Sequence, residues 1–520
     1  MWPFVLCVAF VVVYLIQYAY KNSRYFIDRN IPGPPGQYFF GHVSEMFMAS
    51  GPLQLQKWSK VYGETYGIFE GPQPILVTSD LELLHDVFVR KFTYFHSRKQ
   101  FPLEPPPDGN NVHVFIANGM RWKRMRAITN PAFSVAKLKK VMPTIHDLVD
   151  VLIQCVKEKS ANNEDFDMYP MYQEFSLDVI AHIAFGETRS LQLLTGTDNN
   201  PYIQFVRETF QFPKSKISIM LLMLSIVFPD LNPLASALQE RFGYDPVLQL
   251  LERLTKLVNE RREGKQCDSS KTDFIQLFLD AEATDLEEIG SSALGTDAER
   301  LQVKSGEIRK KLTASEICMN LVLFLLAGYD TTSNTLAYAT YLLATHPDVQ
   351  AKAYSEIRNV VGDDANSELN YDQIQKLWYL ELVVKETLRL YPLASIANTR
   401  KCAETCEVAG GRVIEKGLAV WPDVFTIHYD KRTWGDDADK FRPERFAEKI
   451  ARHPMAWLPF GAGPRMCQGM KLAMMQVKMV LCELLRQFSF HQTDNTQVPL
   501  KIGGIATLSP EHVTVKVQKR

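Results

Sequence analysis

The segment with the most chemical content is Phe460–Gly469, FGAGPRMCQG, in which Cys467 comes directly before a long run of helical pattern. Because apolar residues recur there at spacings of three to four, Cys467 is predicted to lie just before a helix N-terminus. Unpaired backbone N–H groups and the helix dipole favour a negatively charged sulfur at such a position. Gly463 and Gly469 permit tight turns around the sulfur, and Arg465 adds a cation suited to a carboxylate or another anion. The pattern predicts a single thiolate ligand to a metal, the alternative being a buried cysteine in a glycine-rich loop.

A second group of chemically active residues lies inside an apolar helical pattern. Thr313-Ala-Ser-Glu316 forms a capping box, and the helix that it opens would run for about 33 residues, or roughly 50 Å. Gly328 removes side-chain bulk where a flat cofactor could approach this helix. Asp330 and Thr331 place a carboxylate and a hydroxyl in apolar surroundings, at an energetic cost that calls for a reason. The alternative is a kinked helix whose threonine hydroxyls bond back to the preceding turn.

These two segments together resemble the cytochromes P450. The haem-binding signature of that family is F-x-x-G-x-R-x-C-x-G, and its oxygen-helix pattern is A-G-x-D/E-T-T. The resemblance implies haem b (iron protoporphyrin IX), with Cys467 as the ligand to iron. It also implies that Thr331 supports the oxygen substrate and a water, while Asp330 helps to relay protons. The residues at the fixed positions of the haem signature are Phe460, Gly463, Arg465, Cys467 and Gly469.

Other residues receive roles from the same resemblance. Trp122 and Arg126 match the W-x-x-x-R pattern that binds haem propionates, and their spacing places them on one helix face. Arg400 and Arg98 are expected to add propionate contacts. Taken alone, a Trp–Arg pair would indicate packing next to a solvated charge.

A further motif is expected to have a structural role. Glu386 and Arg389 form an E-x-x-R pair, which in the family joins an arginine from a later loop in a buried cluster. Phe441-Arg-Pro-Glu-Arg445-Phe446 supplies that arginine, and Arg445 is the residue that we expect to pair. If this pair were exposed on a helix surface, it would contribute less than about 1 kcal/mol to the free energy of unfolding.

The predicted fold is mainly α-helical with a small β region, the cytochrome P450 fold, preceded by one transmembrane helix. We expect a membrane anchor at residues 1–21, a basic and proline-rich hinge at 22–36, and a catalytic domain at 37–520. Trp2–Tyr20 contains no charged residue, and the basic residues after it place the following chain in the cytoplasm. A cleaved signal peptide would have a basic residue before the apolar run and a small-residue cleavage site. We therefore expect a single-pass protein of the endoplasmic reticulum membrane, with its catalytic domain facing the cytosol.

Composition limits the choice of partners. The net charge of −1 gives no reason to expect nucleic-acid binding, and the eight cysteines lack disulfide-type spacing. No G-x-G-x-x-G fingerprint for a flavin or nicotinamide is present, so electrons must come from a separate protein. The resemblance implies NADPH–cytochrome P450 reductase, with cytochrome b5 as an additional candidate. Candidate docking residues are the basic ones at Lys123, Arg124, Lys139, Lys140, Lys471 and Lys478, and the alternative is an ordinary solvated surface.

The predicted function is a monooxygenase that inserts one atom of O2 into a lipophilic small molecule such as a xenobiotic, a steroid or a fatty acid. Two alternatives stay open at this stage: a reductase-independent isomerase of lipid peroxides, and a haem-binding sensor or carrier without turnover. An apolar run within residues 203–235 is either buried or in contact with the membrane surface. The C-terminal segment Ile502–Pro510 is predicted to be a glycine-broken turn between short strands.

Overall fold

The computed structural model describes residues 13, 17–18, 20, 22–36, 39–48, 50–192, 201–210, 215–243, 246–263, 273–281, 311–362, 369–504 and 507–520. The predicted anchor at residues 1–21 falls almost entirely outside this part of the chain. Residues 281–311 are rich in Asp, Glu, Ser and Gly, a composition that predicts an exposed loop, and apart from the two end residues they also lie outside this part of the chain. Among the helices that are described, none combines the length and the apolar character needed to cross a bilayer.

Helices dominate the described residues, in agreement with the predicted fold class. They are α1 Val43–Met48, α2 Gly51–Tyr62, α3 Leu81–His85, α4 Gly119–Thr129, α5 Val135–Ser160, α6 Tyr169–Phe185, α7 Pro201–Phe210, α8 Lys216–Val227, α9 Asn232–Phe242, α10 Pro246–Arg262, α11 Phe274–Asp280, α12 Ala314–Thr345, α13 Pro347–Val361, α14 Tyr371–Lys376, α15 Trp378–Leu390, α16 Val424–His428, α17 Lys431–Trp434 and α18 Met470–Gln487.

The strands are short and form small sheets. They are β1 Thr65–Glu70, β2 Gln73–Thr78, β3 Asp165–Asp167, β4 Arg400–Lys401, β5 Cys406–Val408, β6 Arg412–Ile414, β7 Ala419–Pro422, β8 Phe488–His491, β9 Ile502–Gly503, β10 Ser509–Pro510 and β11 Thr514–Lys519. The largest sheet has the order β1-β2-β7-β4, in which only the β2–β7 pair is parallel. A second sheet has the order β3-β11-β8, and β5–β6 and β9–β10 form separate pairs.

Helix α12 forms the centre of the helical core. The predicted capping box is confirmed, because the Thr313 hydroxyl accepts from the Glu316 N–H and the Glu316 carboxylate accepts from the Thr313 N–H. The helix is buried over most of its circumference and packs against α6, α10, α15 and α18. A helix that is apolar on nearly all sides is expected to be buried in this way. The residues predicted to face a cofactor therefore lie in the middle of the domain.

The proline-rich segment does not extend freely from the body of the protein. The Pro32 carbonyl accepts from the Gly67 N–H at 2.8 Å, and a Cβ on Gly33 would lie 2.2 Å from the Gly67 carbonyl oxygen. Phe26 is buried against Phe69, with ring centroids 5.2 Å apart. The segment is thus fixed to strand β1.

Helix α8 contains the apolar run noted between residues 203 and 235. Its buried residues are Ser218, Leu221, Ser225 and Ile226, whereas Ile217 and Met220 are exposed. This helix therefore presents apolar side chains both to the core and to the outside.

Candidate active site

The Cys467 loop is held by its own backbone. The Cys467 N–H donates to the Phe460 carbonyl at 2.9 Å, and the Met466 N–H donates to the Gly463 carbonyl at 3.0 Å. Gly463 has φ +68°, and a Cβ at this position would lie 1.9 Å from the Phe88 carbonyl oxygen. Only glycine fits there, because both the dihedral angle and the close approach exclude a side chain.

Cys467 keeps accessible surface as a residue, although protein atoms surround its thiol. Burial raises the pKa of its thiol, while the backbone N–H groups of Gly469 and Met470 and the charge of Arg126 act in the opposite direction. These N–H groups belong to the start of α18, as predicted for a stabilised thiolate. Gly469 lies in the turn that leads into α18 with a φ of −80°, so this turn does not use the left-handed conformation that glycine permits.

Four arginine side chains are brought together near this loop. Arg98 donates to the Ala397 carbonyl at 2.9 Å and to the Arg465 carbonyl at 3.2 Å. Arg465 is buried and donates to the carbonyls of Phe115 and Ala117 at 3.1 and 2.5 Å.

The other two arginines reach the cluster from α4 and β4. Arg126 donates to the carbonyl of Met466, the residue before Cys467, at 2.8 Å. The guanidinium of Arg465 lies over the ring of Trp122, 4.6 Å from its centroid. Arg400 is buried and lies over the Phe88 ring. All the residues predicted to bind propionates therefore converge on the Cys467 loop.

This cluster lacks the negative charge that such a set of cations requires. Within the described residues, none of the four guanidinium groups has an ion pair with a carboxylate; they bond to backbone carbonyls and, in Arg465, also to the Asn118 side chain, while Glu104 acts on Arg98 only through its charge. Burial lowers the pKa of Arg98 and of Arg126 to about 10, and burial together with mutual repulsion lowers those of Arg400 and Arg465 further. The Nε atoms of Arg98, Arg400 and Arg465 are buried without a hydrogen-bond partner. Isolated buried cations are costly, so the donor set fits an anionic ligand, and the two propionates of haem have the required charge.

Asp330 and Thr331 lie on different faces of α12. The Thr331 hydroxyl donates to the Ala327 carbonyl at 2.7 Å on an accessible side of the helix. This bond to the preceding turn was the structural alternative predicted for it, and it leaves the hydroxyl lone pairs free to accept. Asp330 is buried and accepts from Asn334 and Thr507. Burial raises the pKa of its carboxyl, which the hydrogen bonds from Thr507 and Asn334 partly oppose.

Glu386, Arg389 and Arg445 form a fully buried ion cluster. Both oxygens of Glu386 accept from Arg389 at 2.8 Å, and Oε1 also accepts from Arg445 at 2.8 Å. Each of the three side chains has 0% exposure. The remaining guanidinium donors bond to backbone carbonyls between residues 428 and 440, which ties α15 to the segment leading to the Cys467 loop.

Two of the candidate docking residues are not surface cations. Arg124 is buried and pairs with Glu316 at 2.5 Å, and Lys478 is buried and pairs with Glu381 at 3.3 Å. Their prediction as docking residues is wrong. The sequence suggests that both side chains are exposed because they are charged, but tertiary packing buries them. Lys139, Lys140 and Lys471 are exposed, and Lys123 is half-buried.

Sequence reasoning missed Thr507 and Asn334 as partners of Asp330. Asn334 could have been found, because positions i and i+4 share a helix face. Thr507 is far away in sequence, and no local signal links it to Asp330.

Three residues outside this site have side chains of the types that bind metal ions, but hydrogen bonds and ion pairs already occupy the ligand atoms of two of them. Glu82, His85 and His453 place three ligand atoms within 4.8 Å of one another. However, His453 Nδ1 accepts from the Met455 N–H at 3.1 Å, so in the neutral ring Nε2 carries the proton and faces Glu82 at 3.2 Å. Arg90 already pairs with Glu82 at 2.8 Å. Glu82 is therefore occupied by its ion pair with Arg90 and by the contact with His453.

Comparison with known proteins agrees with this geometry. A sequence model of the family "Cytochrome P450" matches residues 31–517. The chain is similar to cytochrome P450 CYP13A4 of Caenorhabditis elegans, with 39% identity over 511 residues that cover 95% of each chain. It is also similar to CYP13A5 of the same organism, with 39% identity over 97% of each chain. A thiolate loop, a haem-compatible arginine cluster and similarity over nearly the full length lead to one conclusion: the chain belongs to the cytochrome P450 family, and it is a haem-binding monooxygenase.

Proposed function

We propose that this chain is a membrane-anchored monooxygenase of the endoplasmic reticulum that inserts one atom of O2 into a lipophilic small molecule. NADPH would supply the electrons through a separate reductase, with cytochrome b5 as a second candidate donor. The observation that carries the proposal is the convergence of four guanidinium groups on the Cys467 loop, two of them buried (Arg400 and Arg465) and two half-buried (Arg98 and Arg126). Such a site holds a dianionic cofactor next to one thiolate.

Cys467 would bind the iron, and Arg98, Arg126, Arg400 and Arg465 would hold the propionates. When haem is bound, a cysteine thiolate ligand would donate electron density to the iron, and the cofactor would supply the activation of O2. Trp122 holds Arg465 in place through its ring face, since a guanidinium over an indole is attracted to it. The backbone N–H groups of Gly469 and Met470 limit the basicity of the sulfur.

The distal contribution would come from α12. The Thr331 hydroxyl, whose proton is donated to the Ala327 carbonyl, can accept a hydrogen bond from a water and would hold that water on the accessible side of the helix. Asp330 would serve as the proton source, because burial keeps its carboxyl protonated to a higher pH than usual. Glu386, Arg389 and Arg445 have a supporting role in this proposal.

Electrons would enter on the side of the Cys467 loop. Lys123, Lys139, Lys140 and Lys471 remain as candidates for an acidic redox partner, since they keep accessible surface. Complementary charge would speed the encounter and set its orientation.

A lipophilic substrate is supported by the apolar surface around α8 and α9. Ile217, Met220, Leu231, Leu234 and Phe242 are exposed there, although residues of this type are usually buried. With an anchor at residues 1–21, this surface would contact the membrane and take up substrate dissolved in it.

The test compares the full chain with two cysteine variants. Cys467→Ala should abolish the thiolate-type Soret band of the reduced, carbon monoxide-treated protein and all turnover. Cys155→Ala, a partly accessible cysteine of α5, should retain both. Wild-type protein should consume NADPH in a substrate-dependent manner only when reductase is added. Turnover of a lipid hydroperoxide without reductase, or activity retained in Cys467→Ala, would contradict the proposal.

A further inference from the structure

Asp330 is turned away from the hydroxyl that it is proposed to serve. Successive residues of an α-helix point about 100° apart, so Asp330 and Thr331 do not share a face. Asn334, one turn later, donates to Asp330 Oδ2 at 3.0 Å, and the Thr507 hydroxyl donates to the same oxygen.

The position of Thr507 is fixed by its own surroundings. Gly504 has φ +117°, and a Cβ there would lie 2.0 Å from the Thr507 carbonyl oxygen. The Leu508 N–H donates to the Leu393 carbonyl at 3.0 Å. The backbone of Thr507 therefore lies close to Gly504, and the next residue, Leu508, is hydrogen-bonded to the core, so the place of Thr507 does not depend on Asp330 alone.

The surroundings of the Asp330 carboxyl contain phenols but no described cation. Tyr169 approaches from α6, and Tyr329 and Tyr338 belong to α12 itself. With only neutral donors near it, a buried carboxylate is costly, and burial raises the pKa of Asp330. Hydrogen bonds to the charged form, from Thr507 and Asn334, limit that increase.

We propose that Thr507 is a positioning residue for Asp330: its hydroxyl holds the carboxyl off the Thr331 face, and release of this hydrogen bond starts proton delivery. The inference rests on the proposed proton-relay role of Asp330. The carboxyl gives its proton to a water on the Thr331 side, and the carboxylate that forms is reprotonated from solvent. Thr507 thereby controls how tightly electron use is coupled to oxygenation.

The variant that tests this is Thr507→Val, which keeps the shape of the side chain and removes its hydroxyl. In the haem-loaded full chain, the infrared band of the Asp330 carboxyl is assigned by its loss in Asp330→Asn. Loss of one hydrogen bond to the charged form should raise the pH midpoint of this band by about one unit. The pH at which NADPH consumption uncouples from product should rise with it, and Thr507→Ser should restore both.

Thr496→Val is the matched control, because it removes another hydroxyl of the C-terminal region, one that donates to the Thr514 carbonyl at 2.8 Å. It should leave the carboxyl midpoint unchanged. An unchanged midpoint in Thr507→Val would overturn the positioning role of Thr507. Unchanged coupling and an unchanged solvent isotope effect in Asp330→Asn would instead refute the relay role of Asp330, and the infrared midpoint distinguishes the two failures.

Discussion

At the scale of single residues, buried arginines fall into two classes that the sequence does not separate. Arg389 and Arg445 share the carboxylate of Glu386, so their charges are compensated inside the protein. Arg98 and Arg400 bond to backbone carbonyls and leave Nε without a partner. The first class stabilises the fold by itself, and the second requires an anion from outside the chain.

The first prediction follows from the compensated class. Glu386→Ala would leave the buried Arg389 without a countercharge and Arg445 with only the partly exposed Asp437 at 3.3 Å, and removing one partner of a buried pair costs about 3–5 kcal/mol. We expect a large fall in the thermal unfolding midpoint and loss of haem retention in purified protein.

Lys352→Ala is the control for that variant, since it removes the exposed side of the Lys352–Glu444 pair at 2.7 Å. Exposed pairs contribute at most about 1 kcal/mol, so its midpoint should be nearly unchanged. If both variants lowered the unfolding midpoint equally, the buried cluster would stabilise the protein no more than an exposed ion pair does.

At the scale of elements, glycines determine where backbones can meet. Gly463 lets the Cys467 loop approach the Phe88 carbonyl, whereas a Cβ added to Gly417, with φ +92°, would meet no heavy atom within 4 Å. The two glycines therefore separate the cost of a left-handed dihedral angle from the cost of a steric clash.

Gly463→Ala should displace the loop, because its Cβ would lie 1.9 Å from an oxygen atom. We expect haem incorporation to fall by at least about tenfold, measured from the ratio of Soret to protein absorbance. Gly417→Ala should cost only the dihedral strain, about 1–2 kcal/mol, with normal haem content. Full haem incorporation in Gly463→Ala would contradict this account of the loop.

The loop before α4 offers a pH-dependent element. The Leu103 N–H donates to Asn232 Oδ1 at 2.8 Å, and Asn232 Nδ2 donates to the Glu104 carbonyl at 3.0 Å, which joins the loop to the start of α9. Glu104 keeps some accessible surface, but its carboxyl is enclosed, and burial raises its pKa to about 7 against the opposing charges of Lys99 and Arg98.

Because the folded state holds this proton more tightly than the unfolded state, its stabilising effect is complete below about pH 4.5 and is lost as pH rises through 7. We expect the Leu103 amide to exchange faster above pH 7 than base catalysis alone explains. Glu104→Gln should remove this extra increase. The same pH profile in wild type and variant would exclude Glu104 as the cause.

At the scale of the whole molecule, the exposed apolar residues of α8 and α9 and the proposed anchor would act on the same membrane. Deletion of residues 1–21 should leave the thiolate-type spectrum intact, because the Cys467 site lies within residues 98–470. The shortened protein should still bind neutral lipid vesicles weakly through the apolar surface of α8 and α9.

Adding Met220→Ser and Leu234→Ser to the shortened protein should abolish that residual binding, measured by vesicle flotation, since both side chains are more than half exposed. Two substitutions at exposed polar sites, Lys256→Ser and Lys440→Ser, serve as the control. Vesicle binding that is unaffected by the apolar substitutions would rule out this surface as a membrane contact.

The sequence by itself determined the family and the long helix with its capping box, because both can be recognised from short local sequence patterns. Thr313 and Glu316 cap α12 through contacts three residues apart, and the glycine-broken C-terminal strands lie where the pattern predicts them. Helix periodicity and capping act within one or two turns, so they can be read without knowing what packs where.

Only the tertiary structure decided which charges are buried and which groups meet across the chain. It enclosed Arg124 and Lys478, turned Asp330 toward Thr507, and gathered Arg98, Arg126, Arg400 and Arg465 at one loop. These partners lie tens to hundreds of residues apart, and the burial that shifts their pKa values arises only when the helices pack. Interactions between residues within one helical turn can therefore be predicted from the sequence. Properties that depend on burial, such as shifted pKa values, follow only from the tertiary structure.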